Sequence, residues 1–502
     1  MERVWNSRRF YRFLEMIPGL LSWNVILFLV WGSLLIPRVV AYFVIAFLIF
    51  WLYQSFKSAI LSIQGFWQIK KAQKINWRQR YLSEKKDQKG WLSWKKIKHI
   101  IIIPTYKEPL SVLSKNLDCL SGQKGVSFEK LTVVLAMEKR DPNCRLIAEE
   151  VVEKYQNRFG RLVVTYHPPD ITGEIKGKAS NEAWAAKEIK KILIDREGGD
   201  INYFTITSSD ADTCFHPKHF SALSYYFAKN RKRYLRFWQS PILFYNNLDR
   251  VPAPVRIVSI IGNIIHIGQL KDPSGLLFNQ SSYSLSLKLL DEAGYWDTDI
   301  IPEDWHLFLQ AFFAKEGKVG VVPIFLPTNM DAPEGKTPFE AIKNRYLQCQ
   351  RHAWGATDIP YTIIQAKKHP EIPLVLRLLR IYKLLEAHFI WSTNWFILSL
   401  GASLPPILNP KFFQTSFGYN LPKFSQTILT VCLLALLVII VLDWKLDPKK
   451  NKGLSFFKKI IYLIQWFLMP VATLFMSVLP GLHAQTKLLF GKRLEYLVTK
   501  KY

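Results

Sequence analysis

The distribution of apolar positions divides the chain into three parts. Ile17–Ile36 and Val39–Phe56 are apolar runs without charge, each long enough, at about 1.5 Å per residue, to cross a hydrocarbon layer of roughly 30 Å. No small-residue cleavage site follows the first run, and a second run comes directly after it, which argues against a cleaved signal. Three further apolar runs, Ala387–Ile407, Thr427–Leu442 and Ile460–Leu482, lie near the end. The last contains Gln465, Pro470 and Pro480, so it is expected as a broken, re-entrant or interfacial segment, leaving four true spans.

Between the two groups the pattern changes. Lys98–Pro104, Lys130–Met137, Arg161–Tyr166 and Asn202–Thr207 are short β-branched runs that predict buried strands. Leu110–Leu120, Cys144–Phe159 and Ala179–Ile194 have helical spacing. The alternation predicts a largely parallel sheet with helices on both faces, and a ligand crevice beyond the carboxyl ends of its strands. The expected division is a basic segment with two spans over 1–60 and an α/β domain over 61–365. After these come an amphipathic interfacial helix over 366–386, a membrane region over 387–485 and a basic tail over 486–502. The interfacial helix carries Arg377, Arg380 and Lys383 along one flank.

Charge refines this picture. The net charge of +28 raises nucleic acid as a partner, but its placement argues against it. Twelve Lys or Arg fall between Lys57 and Lys98 against Glu84 and Asp87, and Arg3, Arg8, Arg9 and Arg12 precede the first run. Basic flanks beside apolar spans mark the cytoplasmic side and attract anionic lipid. The expectation is therefore a multi-pass protein of the plasma (inner) membrane, with a cytoplasmic central domain and no nucleic-acid partner. Cys119, Cys144, Cys214, Cys349 and Cys432 show no CxxC or metal spacing, and free thiols are expected.

Candidate chemistry lies at the strand ends. PTYKEP follows the first strand, bringing Thr105 and Glu108, and Glu138 follows the second. The fourth strand runs into SSDAD, where Asp210 and Asp212 can share one divalent cation or Asp212 can cap a helix opening at Pro217. GKASN places Lys178 near a helix N-terminus, suited to phosphate or ribose or to plain capping. In IIPEDWHLF, Glu303 and Asp304 open a helix, where acids face the macrodipole and where Asp304 can take a proton from a hydroxyl. In QCQRHAW, Gln348, Arg351 and His352 share a helix face, with Trp354 nearby to stack on a sugar.

In order from about Ile100 to Arg351, PTYKE, an acid after the second strand, GKxxN, DxD, ED and QxxR resemble the membrane-embedded family 2 glycosyltransferases, the cellulose, hyaluronan and poly-N-acetylglucosamine synthase-like proteins. The resemblance implies a GT-A α/β domain inserted between transmembrane helices. It implies inverting, metal-dependent transfer of a sugar from a nucleotide-diphosphate donor to a growing polysaccharide. The alternatives are single-sugar transfer to a lipid or short glycan acceptor, and a non-catalytic nucleotide-sugar-binding scaffold. On the family's pattern Asp304 is the base with Glu303 beside it, and Asp210 and Asp212 hold Mg²⁺ or Mn²⁺. Thr105, Glu108, Glu138, Lys178, Asp210 and Arg351 contact the donor, and Gln348, His352 and Trp354 the acceptor. Leu276–Ser286 is similar to the acceptor-side finger segment, and YLVTKK to a gating loop with Tyr496, Thr499 and Lys501. Relatives carry Trp where His352 stands, and many carry Asp where Glu138 stands.

Overall fold

The computed structural model describes residues 8–85, 90–447 and 455–494. Two apolar helices come first, Arg8–Leu35 (α1) and Pro37–Lys74 (α2). Pro37 sits in the first turn of α2, where its missing N–H would have no helical partner anyway. α2 runs well beyond residue 60, where the span was expected to end, and its extension packs against Ala253–Gln269 (α7). Close approach explains Gly65: a Cβ there would lie 2.5 Å from a methyl carbon of Ile267. Ser62 Oγ adds a 2.8 Å hydrogen bond to the Ile264 carbonyl.

Lys98–Thr105 (β1) shows how the sheet is built. Ile100 and Ile102 enter one core cluster and Ile101 and Ile103 the other, as the period of two requires for a strand buried on both faces. β1 pairs in parallel with Leu131–Glu138 (β2) and Phe204–Ser208 (β4), and β2 with Arg161–His167 (β3). The sheet is largely parallel, as expected, but beyond β4 it becomes mixed. Tyr283–Ser286 (β8) runs antiparallel to both β4 and Arg236–Gln239 (β6), and Gly320–Pro323 (β9) lies parallel to β6. The order is β3-β2-β1-β4-β8-β6-β9, while Cys214–Phe215 (β5), Ile242–Leu243 (β7) and Thr328–Asn329 (β10) form a second, three-stranded sheet. YSLS is a four-residue strand with little apolar periodicity, and pairing rather than composition buries it.

Helices cover both faces. Lys178–Lys190 (α5) and Glu303–Ala314 (α8) pack on one, and Leu110–Ser121 (α3), Cys144–Tyr155 (α4) and His219–Lys229 (α6) on the other. Cys119 and Cys214 are joined in a disulfide with Cα atoms 5.5 Å apart, which corrects the expectation of free thiols for this pair. The fold brings together two cysteines separated by 95 residues, a proximity that spacing does not encode. Cys144, Cys349 and Cys432 are free.

The domain continues into Pro338–Ala353 (α9) and Asp358–Lys368 (α10) before Leu374–Leu400 (α11). α11 is unbroken across residue 386, so the basic flank and the apolar run after it form one helix. Ser416–Leu446 (α12) and Phe456–Leu489 (α13) follow. α1, α2, α12 and α13 are long and apolar enough to cross a membrane, the mark of a membrane protein. α13 is irregular around Gln465–Leu468 and Leu474–Val478, on either side of Pro470, which lacks a backbone donor. Polar side chains tie these helices together. Ser22 Oγ donates to Gln485 Oε1 (2.7 Å), and Gln485 Nε2 donates to the His388 carbonyl (2.8 Å), joining α1, α13 and α11.

Candidate active site

The carboxyl ends of β1, β2 and β4 open into a crevice of about 400 Å³, walled on its far side by α7, α9 and α11. Thr105 and Glu108 reach it from the loop after β1, Glu138 from the end of β2, Asp210 and Asp212 from the loop after β4. Lys178 comes from the first residue of α5, and Glu303 and Asp304 from the first turn of α8. Gln348, Arg351 and His352 face it from α9. Eleven of the expected site residues thus line one crevice. Trp354 does not: it is 6% exposed and packs in the core beneath α9. Tyr496, Thr499 and Lys501 lie outside the described residues.

Lys178 is the centre of the charge arrangement. Its Nζ lies 2.9 Å from Asp210 Oδ1, 2.8 Å from Glu303 Oε1 and 3.7 Å from Asp304 Oδ1. Burial works against the ammonium, but Asp210, then Glu303 and Asp304, hold its pKa well above the ordinary value. Asp304 is pushed the same way by burial and by Glu303, with Lys178 opposing. Its Oδ2 accepts the Ser281 N–H (2.6 Å), and its carbonyl accepts Asn279 Nδ2 (2.8 Å). Neither acid of α8 caps that helix through its side chain. Nor does Asp212 cap the helix after Pro217: α6 begins at His219, and Asp212 Oδ2 instead accepts the Asp331 N–H at 3.2 Å.

Ser281 organises this cluster and was not singled out from sequence. Its N–H binds Asp304, its Oγ donates to Asp210 Oδ2 (2.6 Å), and its carbonyl accepts Lys178 Nζ (3.3 Å). The residue has φ +54°, a left-handed conformation uncommon for serine that turns its N–H and Oγ toward the acids and its carbonyl toward Lys178. Lys107, in the loop after β1, is likewise left-handed at φ +62° and donates its N–H to Asp141 Oδ2 (3.1 Å). Glu182, one turn along α5 from Lys178, is fully buried and accepts Ser208 Oγ at 2.6 Å. Burial pushes its carboxyl up to about 8 against the pull of Lys178. An aromatic wall also escaped the sequence reading. His388 lies 6.2 Å from Trp391 and 6.0 Å from Trp305, ring centre to ring centre, and all three line the crevice.

His306 fixes the helix that carries Glu303 and Asp304. Nδ1 lies 2.6 Å from Asp358 Oδ1 on α10, and Nε2 2.8 Å from Asp297 Oδ2. Burial would lower its pKa, but Asp358 and Asp297 raise it to about 9 from 6.5. The stabilisation from the charged ring is complete below pH 6.5 and is lost as pH rises through about 9. His306→Gln is expected to cost about 3 kcal/mol at pH 6. In thermal melts of the solubilised protein the gap to wild type should narrow above pH 9; a gap independent of pH would refute the charged ring.

As for a metal, Asp210 and Asp212 are the carboxylates in position. No group of three His, Cys, Asp or Glu side chains among the described residues forms a ready-made site. Two carboxylates suit an ion such as Mg²⁺, whose other ligands are substrate phosphates and water.

The mixed sheet and the acids at its strand ends define a GT-A-like glycosyltransferase. The sequence model of Glycosyl transferase family group 2 matches residues 205–479. That is more than half of the chain, and the chain belongs to this family. The match includes the DAD, ED and QxxR segments. No curated protein sequence matches. Among solved structures, the mannosyltransferase PcManGT from Pyrobaculum calidifontis, in complex with GDP-Man and Mn²⁺, aligns over 78% of this chain and all of its own, with 13% identity and a TM-score of 0.43. S. aureus TarS aligns over 67% of this chain and 55% of its own, at 13% identity and TM-score 0.32. GalNAc-T7 with UDP, GalNAc and Mn²⁺ aligns over 58% of each chain at 10% identity and TM-score 0.34.

Proposed function

We propose that this protein is an inverting, metal-dependent glycosyltransferase that moves a sugar from a nucleoside-diphosphate donor to a glycan held at the cytoplasmic face of the membrane. The observation that carries the reading is the convergence of Asp210, Glu303 and Asp304 on Lys178, beside Asp212, in one crevice. In this reading Asp304 takes the proton of the acceptor hydroxyl. The hydroxyl oxygen forms a bond to the anomeric carbon as the bond to the diphosphate breaks, and the electron pair leaves with the diphosphate. Attack opposite the leaving group inverts the configuration. Mg²⁺ or Mn²⁺ held by Asp210 and Asp212 would supply Lewis-acid stabilisation of the diphosphate. Thr105, Glu108, Glu138 and Arg351 line the donor side, with Gln348 and His352 facing the acceptor. The basic flanks of α1 and α2 support a cytoplasmic domain against anionic lipid.

Trp391, His388 and Trp305 take the acceptor-stacking role that was expected of Trp354. Trp391→Ala is expected to raise the acceptor KM about three- to tenfold, from loss of a stacked aromatic surface, with donor KM unchanged. An unchanged acceptor KM would remove Trp391 from the site. The test of the whole reading is incubation of membranes holding the protein with a panel of labelled nucleotide sugars, followed by sizing of the product. A ladder of lengths supports polysaccharide extension; one lipid-soluble product supports single transfer. No sugar transfer from any donor would overturn the proposal.

A further inference from the structure

The crevice continues past the acids along the face of α9 that carries Arg345, Gln348, Arg351 and His352. Arg345 lies about 9 Å along the helix axis from Arg351, somewhat under two turns nearer the N-terminus. Its setting is unusual for a cation. Nη1 donates to Gln348 Oε1 at 2.8 Å, while Nε is buried without a hydrogen-bond partner among the described residues. No acid among the described residues forms an ion pair with Arg345, and two acids of the same crevice are engaged with other cations. Asp331 pairs with Lys115 (3.2 Å), and Glu334 accepts Asn247 Nδ2 (3.0 Å) and pairs with Arg250 (3.2 Å). A guanidinium keeps its proton, so one whose Nε is shut off from water, with no ion-pair partner among the described residues, carries a desolvation penalty that a bound anion would offset.

The position of Arg345 indicates where that anion comes from. Its neighbour Tyr346 places its hydroxyl 3.1 Å from His483 Nδ1 on α13, and Cys349, one turn on, contacts the Ser477 carbonyl at 3.6 Å. This turn of α9 therefore abuts a helix apolar enough to cross the membrane. Gly262 of α7 also lines the crevice, and a Cβ added there would meet nothing within 4 Å. The crevice thus has room beside α7 and a cation where it meets a membrane helix.

We propose that Arg345, oriented by Gln348, is an anion subsite for the acceptor: it takes the phosphate of a phosphate-bearing glycan acceptor presented at the membrane surface. The subsite is separate from the place of the donor diphosphate at Asp210, Asp212 and Arg351, and it rests on the transferase reading above. The phosphate anchors the acceptor, while a sugar hydroxyl one residue away reaches Asp304. A lipid phosphate and a soluble sugar phosphate share this chemistry, and membrane contact favours the lipid.

The test uses the full chain in detergent, with Arg345→Met and Arg345→Lys. Binding is measured to phosphatidylcholine vesicles with and without an isoprenyl monophosphate, to glucose 1-phosphate, and to nucleoside diphosphates. Wild type is expected to prefer the phosphate-doped vesicles. Arg345→Met should weaken that binding about tenfold or more, as loss of a charge-assisted contact does, and leave nucleoside-diphosphate binding within about twofold. Arg345→Lys should lose less, which separates charge from folding. Competition by glucose 1-phosphate supports the subsite with a soluble source; its absence supports it with a lipid source. Equal loss of nucleoside-diphosphate binding would place Arg345 in the donor site and overturn the proposal. So would phosphate binding indifferent to Arg345→Met. Failure of wild type to bind any nucleoside diphosphate would instead strike at the transferase reading.

Discussion

Asp304→Asn is expected to lower turnover by about 10²- to 10⁴-fold, the range for loss of a general base, while donor binding stays within about threefold of wild type. Asparagine matches the shape of aspartate and can keep one oxygen toward the Ser281 N–H, which Asp304 holds at 2.6 Å. Its carbonyl link to Asn279 is untouched. What the amide cannot do is accept the proton of an attacking hydroxyl. Asp304 Oδ1 is buried without a hydrogen-bond partner among the described residues, and burial with Glu303 raises its proton affinity, the direction that suits a base. Glu303→Gln should behave differently. It breaks a 2.8 Å ion pair with Lys178 and should weaken donor binding together with turnover. Initial rates with labelled donor, paired with calorimetric binding of the nucleoside diphosphate, separate the two. Unchanged turnover in Asp304→Asn would remove the base assignment.

The sequence was most legible where local pattern and tertiary role coincide. β1, β2 and β4 are apolar runs buried on both faces, so their hydrophobicity is itself the signal, and β3 at the sheet edge is half-buried. Strand ends then bring Thr105, Glu138 and Asp210 to one edge by topology alone. Legibility fell where partners are remote. β8 reads as YSLS, polar by composition, and becomes a central strand only by pairing with β4 and β6. Ser281 is an ordinary serine until its left-handed backbone aims its N–H and Oγ at two acids and its carbonyl at Lys178. Trp354, expected at the crevice, is buried in the core, while Trp391 reaches the crevice from α11; proximity to a motif does not tell which ring faces the site. Arg345 precedes Gln348 by a single turn, yet its significance depends on which acids fail to reach it. The residues that motif order recovered line the crevice beyond the strand ends; Ser281, Trp391 and Arg345, which it missed, reach the same crevice from other elements.

Removal of divalent metal should abolish transfer, and Asp210→Asn and Asp212→Asn should fail in distinguishable ways. In this structure Asp210 serves the cation Lys178 (2.9 Å) and Ser281 Oγ (2.6 Å) as well as facing the crevice. Its loss removes a negative charge from Lys178 and a tether from Ser281, so activity should fall without full recovery at any metal concentration. Asp212 is held differently: its Oδ2 accepts the backbone N–H of Asp331, a contact an amide oxygen can keep. Asp212→Asn should therefore act chiefly on the ion, raising the Mg²⁺ or Mn²⁺ needed for half activity, with a loss of about 10²- to 10³-fold at low metal, comparable to removal of one transition-state charge contact. Activity titrated against metal after EDTA treatment reads both. Partial rescue of Asp212→Asn by excess metal, with none for Asp210→Asn, would assign the two carboxylates different duties within one motif. Full activity in EDTA would show that the paired aspartates serve Lys178 and the loop at Asp331, not a cation.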